Sequence, residues 1–119
     1  MTITQRWVKE PHVLEFIYSD DLSSEELIKA IKQNPELYSS PVSILITLAP
    51  NVQMPTQLIN TMLSSNTIMD FIKHPNTRSF AIIGASKMLQ LSAQTIFRGE
   101  KVLFTDNREQ AITFLCKQT

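Results

Sequence analysis

Glycine is nearly absent from this sequence. Its 119 residues hold two, Gly84 and Gly99. A loop that cradles phosphate needs several positions free of Cβ atoms, and neither a GxGxxG run nor the P-loop spacing occurs. Cysteine is scarcer still. Cys116 stands alone, so no internal disulfide can form, and a reducing, cytoplasmic setting is expected. No stretch approaches the roughly 18 apolar residues that cross a bilayer, so no membrane span is expected. The opening MTITQRWVKEPH has no apolar run of the secretory kind. An excess of one charge is also missing, since eleven basic residues face eleven acidic ones. Residues 1–60 hold seven acids and four bases, a net −3; residues 61–119 hold seven bases and four acids, a net +3. Lys and Arg nowhere cluster as they do where phosphate counterions are displaced, which argues against nucleic acid as partner.

What remains is a globular composition, 43% hydrophobic and 18% charged. A chain of this length supports one core, and one domain over residues 1–119 is expected. Thr2 to Val8 reads as a strand. A turn at Lys9-Glu10-Pro11-His12 leads to a second strand, Val13 to Tyr18, with Leu14, Phe16 and Tyr18 on one face. The short connection predicts an antiparallel hairpin with the first strand at the sheet edge. Ser23 and Glu26 then form a capping box, and Leu22 and Leu27 a hydrophobic staple over the same turn. The helix that follows should stop near Asn34-Pro35.

Val42 to Leu48 is almost continuously apolar or β-branched, the pattern of a central strand buried on both faces. Pro55 suits the first turn of the next helix. Ser64-Ser65-Asn66-Thr67 is weak for helix and predicts a kink or a split there. The helical pattern then runs on to His74-Pro75. Phe80 to Gly84 is another buried strand. Ser86 caps a helix through Phe97, and Lys101 to Thr105 is the last strand. Asp106 with Glu109 reads as the cap of a terminal helix. The order is ββαβαβαβα, which predicts an α/β fold with a mixed, mostly parallel five-stranded sheet and four helices.

That order resembles the STAS fold of anti-sigma-factor antagonists and sulfate-transporter tails. The likeness to its small stand-alone bacterial branch is carried by four segments: a helix ending in His74-Pro75, the run Arg78 to Gly84, the run Lys101 to Asp106, and the terminal helix Asn107 to Leu115. The resemblance implies a regulatory or protein-interaction module without catalysis. It also implies a phosphorylatable Ser or Thr in an Asp-Ser motif at the start of the second helix. Here that place reads Ala49-Pro50-Asn51-Val52-Gln53-Met54-Pro55-Thr56. The motif is absent, and Thr56 is merely a hydroxyl near the position.

Chemistry-bearing groups are sparse. His12, His74 and Cys116 lack ligand spacing, so no metal or other cofactor is expected. No nucleophile elbow is present. The acid pairs Asp20-Asp21 and Glu25-Glu26 flank a helix start, where acids belong for electrostatic reasons. No catalytic residues are assigned. Met54, Met62, Met69 and Met88 read first as core and second as an adaptable binding surface. Trp7 is either an interface anchor or the cover of a sheet edge.

Two functions follow. One is binding of a protein partner, or self-association as a homo-oligomer. The alternative is capture of a small apolar or anionic ligand between sheet and helices. Ligands of open α/β sheets collect outside the C-terminal strand ends. The candidate binding residues are therefore Asn51, Gln53 and Thr56 in one loop, with Ser86 and Lys87 at the next helix start. A cavity lined by Met62, Met69 and Phe71 would favour the ligand; an exposed apolar patch without a cavity would favour the partner.

Overall fold

The structure, a computed structural model, describes residues 3–9, 13–18, 24–33, 41–49, 58–97 and 102–118. Five strands form one sheet: β1 (Ile3–Lys9), β2 (Val13–Tyr18), β3 (Val42–Leu48), β4 (Thr77–Ile83) and β5 (Val102–Thr105). The helices are α1 (Ser24–Lys32), α2 (Leu58–Ser64), α3 (Asn66–Lys73), α4 (Lys87–Ile96) and α5 (Arg108–Gln118). The expected α/β fold and mixed sheet are observed. β1 pairs antiparallel with β2, and every later pair is parallel.

The strands lie in their order along the chain, β1-β2-β3-β4-β5. Right-handed crossovers that always step in one direction deliver every connecting helix to the same face. The core follows from this. Leu14, Phe16, Val42, Ile44, Phe80 and Ile82 point to one side and meet Ala30 and Ile31 of α1, Ile68, Phe71 and Ile72 of α3, and Ala93 of α4. Phe71 stacks edge-on against Phe80 with ring centres 6.3 Å apart, and Phe80 lies 4.7 Å from Phe97. The other face is left to α5, whose Ala111 and Leu115 cover Val13, Leu45 and Ala81. One helix is about 10 Å wide and five strands span about 24 Å, so α5 alone cannot cover that face.

The expected weak point in the second helix is where it breaks, which is why five helical segments appear in place of four. The Ser65 N–H closes α2 on the Met62 carbonyl at 3.1 Å. Its hydroxyl then accepts the Ile68 N–H at 3.3 Å as the cap of α3. At the far end His74 is extended, with ψ 137°, as a residue before proline must be. Its Nδ1 accepts the Asn76 N–H at 3.0 Å. The Ser23 and Glu26 capping box lies outside the described residues.

Two boundaries differ from expectation. β4 begins at Thr77, not Phe80. Two of the polar residues that disguised its start, Thr77 and Ser79, are buried: Ser79 shares a hydrogen bond of 2.8 Å with Ser43, while the Thr77 hydroxyl has no partner among the described residues. The pairing with β3 slips by one residue at this point. The cap of α5 is Asn107, not Asp106. Asn107 Oδ1 accepts the Gln110 N–H at 2.9 Å. The Thr105 hydroxyl accepts the Asn107 N–H at 3.1 Å and donates to Gln110 Oε1 at 2.9 Å. An intermediary hydroxyl thus does what a Glu at the third helical position does in an ordinary capping box.

Gly84 ends β4 with φ +88°, and a Cβ there would lie 2.7 Å from the Leu48 carbonyl oxygen. Backbone conformation and close approach both demand glycine. Gly84→Ala should destabilise the fold by about 1–3 kcal/mol, read from thermal or urea unfolding. A neutral result would mean that the β3–β4 rim is looser than this contact.

Candidate functional site

Of the five residues expected to bind, Asn51, Gln53 and Thr56 lie outside the described residues. Ser86 and Lys87 sit beyond the C-terminal end of β4, after Gly84, and both are exposed. The Ser86 carbonyl accepts the Gln90 N–H at 2.9 Å, the first bond of α4. Gln90 Nε2 donates to the Ala85 carbonyl at 3.1 Å. Lys87 is the first helical residue. Because the strand order never reverses, no switch-point crevice opens at this rim. Gly84 packs directly on the Leu48 carbonyl there.

The face formed by α2 and α4 is different. The two helices lie against each other. Leu91 on α4 is 68% exposed and Leu63 on α2 is 40% exposed. They are the two exposed large hydrophobics among the described residues. Below them the interior is filled. Phe71 is buried between Phe16 and Phe80, and Met62 and Met69 pack against that core. Neither depression described on the surface is lined by those methionines; the one on α2 is open and walled by Asn60, Thr61, Ser64 and Ser65. Trp7 packs against the same core from β1 and is half-buried.

The strongest electrostatic feature is on the opposite face. Glu15, in the middle of β2, has a side chain 0% exposed. Its Oε1 accepts from Arg6 Nε at 2.8 Å and from Arg108 Nη2 at 2.8 Å. Its Oε2 accepts from Arg108 Nη1 at 2.7 Å and from the Thr47 hydroxyl. Arg6 comes from the neighbouring strand, where it is paired with Glu15 in register. Thr47 comes from the strand on the other side, and Arg108 from the first turn of α5. Each carboxylate oxygen takes two donors, and Arg108 grips with the two-pronged geometry suited to a carboxylate. Burial pushes the Glu15 carboxyl up, but the bonds from Arg108, Thr47 and Arg6, with the Arg108 charge, outweigh it and hold the group at about 2. The same bond raises Arg108 against the opposing effect of burial.

This cluster was not anticipated from the sequence. Leu14, Phe16 and Tyr18 mark one core face and leave Glu15 on the side that looks solvated. The available signal was an acid flanked by Val13 and Ile17 on that same side, opposite Arg6 in the hairpin. Arg108 could not be found this way, because 93 positions separate it from Glu15. Among the described residues no three His, Cys, Asp or Glu side chains gather where a metal could bind. No helix among them is long and apolar enough to cross a membrane.

Removing the Glu15 charge leaves Arg6 and Arg108 partly exposed to water and puts in its place a buried amide that cannot accept from all four donors. Glu15→Gln should therefore cost about 1–3 kcal/mol in urea unfolding. The Glu15 pKa is depressed on folding, so its contribution is complete above the unfolded value of 4.5 and is lost as pH falls towards about 2. Acid unfolding of the unaltered chain should show that loss between those limits, and Glu15→Gln should flatten it. An unchanged acid limb in the variant would refute the assignment.

Comparison with known proteins gives a fold and nothing finer. No family model matches the chain, and no curated protein does. Among solved structures it is similar to an uncharacterised protein of the DUF3478 family from Shewanella loihica, described as having a SpoIIAA-like fold. The match has a TM-score of 0.63 and 16% identity, and covers 96% of this chain and 92% of the other. The chain thus has the SpoIIAA-like, STAS-type fold that its order of strands and helices resembles.

Proposed function

We propose that this chain is a non-catalytic interaction module of STAS type that binds a protein partner, or itself, over the α2–α4 face. The supporting observation is the pair Leu63 and Leu91, exposed on adjoining helices above a filled core. Exposed apolar side chains on two adjoining helices favour a partner that removes them from water. A leucine buried by a partner contributes roughly 1.5–3 kcal/mol, so two supply a modest anchor. Ser86 and Lys87 stand at the start of α4 and would form part of the rim of the same surface; Asn51, Gln53 and Thr56 precede α2 in the sequence and are tested with them. The ligand reading needs space between sheet and helices, and Phe16, Phe71 and Phe80 fill that region in the described part of the chain.

The test is partner capture by proximity cross-linking, followed by binding measurements on three variants: Leu63→Ser with Leu91→Ser, Gln53→Ala with Thr56→Ala, and Lys87→Glu. Changes at exposed positions should alter stability by under about 0.5 kcal/mol, so folding is retained. The leucine pair should weaken binding at least tenfold and the polar changes less. Binding that survives all three variants but is abolished by changes around Arg6 and Val8 would place the interface on the other side of the sheet.

A further inference from the structure

We infer that β5 and the flank of α5 form a self-complementary edge through which two copies of this chain join into one continuous sheet. This surface lies on the side of the sheet away from Leu63 and Leu91, so it does not rest on the function proposed above.

The sheet has two outer strands, and they differ. β1 carries Arg6 and Lys9, and charges on an edge strand discourage pairing with another chain. β5 reads Val102-Leu103-Phe104-Thr105, without charge or proline, and all four residues are only half-buried. No described strand pairs with its outer side. Among the described strands, half of its backbone donors and acceptors have no partner, which is the template that strand addition uses. A groove of about 490 Å³ runs beside it. Leu103, Asn107, Glu109, Gln110, Thr113, Phe114 and Lys117 line that groove, so its floor is apolar and its two ends carry opposite charge.

That charge pattern selects the occupant. Two antiparallel β5 strands in one continuous sheet are related by a two-fold axis normal to the sheet. Such an axis leaves both α5 helices on the same side, running in opposite directions. Thr113 is midway between Glu109 and Lys117. An axis passing near Thr113 sets Glu109 of each copy against Lys117 of the other. Strands are about 4.8 Å apart, and α5 packs most extensively on β4, one strand in from the edge. The two helix axes then lie about 14 Å apart. A glutamate and a lysine reaching from opposite sides span that gap, and Leu103 and Phe114 of both copies fill the space beneath. A parallel pairing of the two β5 strands would need a two-fold axis along the strands, which puts the two α5 helices on opposite faces and brings no Glu109 near a Lys117.

Sedimentation equilibrium of the full chain tests this, with Glu109→Lys and Lys117→Glu examined alone and mixed. Both positions are exposed, and circular dichroism verifies that each variant is folded. The unaltered chain should form a dimer in a concentration-dependent way. Either variant alone makes its stripe all of one sign and should weaken the dimer about tenfold or more. An equal mixture sets an all-basic stripe against an all-acidic one and should restore it. In the dimer, amide exchange at Val102–Thr105 should slow as concentration rises. A chain that stays monomeric at millimolar concentration overturns the inference. So does a dimer indifferent to both variants, or a mixture that does not recover.

Discussion

The strand order constrains everything else in this molecule. Because each crossover steps one strand further in the same direction, α1 to α4 accumulate on one face. That face has a deep aromatic and aliphatic core. The second face receives a single helix and a core of five buried residues, three of them small or medium. Apolar area there is too limited to fix α5 uniquely by contact alone. Glu15 supplies the missing definition. A carboxylate with four donors from two strands and a helix accepts few other placements of α5.

Specificity of this kind has a cost. Desolvating the Glu15 carboxylate, and the two guanidinium groups in part, offsets much of their mutual attraction, and an apolar cluster of equal volume is often as stable. The cluster is better understood as setting the angle of α5 across the sheet than as the main source of stability. Arg6 is 57% and Arg108 40% exposed, so the positive groups keep part of their hydration while the carboxylate is fully enclosed. The arrangement asks the sheet to bury one charge, not three.

The sequence of strands and helices along the chain, the buried β3, the edge position of β1 and the break at Ser65 were legible in the sequence, because each depends on neighbours within a few residues. Val42 to Leu48 reads as a central strand from its own composition, and it is one. The start of β4 was hidden because Thr77, Arg78 and Ser79 look like a loop until Ser43 is known to lie beside Ser79. The cap of α5 shifted by one residue because the Thr105 hydroxyl joins it from the preceding strand. Of the candidate site, Ser86 and Lys87 are at a helix start as expected. The exposure of Leu63 and Leu91 was not legible, since a leucine in a helical stripe looks the same whether or not a neighbour covers it. Arg108 and Glu15 meet only through the tertiary fold.

The separation of 93 positions between Arg108 and Glu15 also bears on how the chain matures. Of the described elements α5 is synthesised last, with β5 only two residues ahead of it. Until then Glu15 has Arg6 and Thr47 at most, and the second face of the sheet stays wet. Loop closure over such a distance is slow relative to local pairing. Completion of the second face therefore rests on a contact that is distant in sequence. α5 acts as a latch that closes on a carboxylate made 93 positions before it.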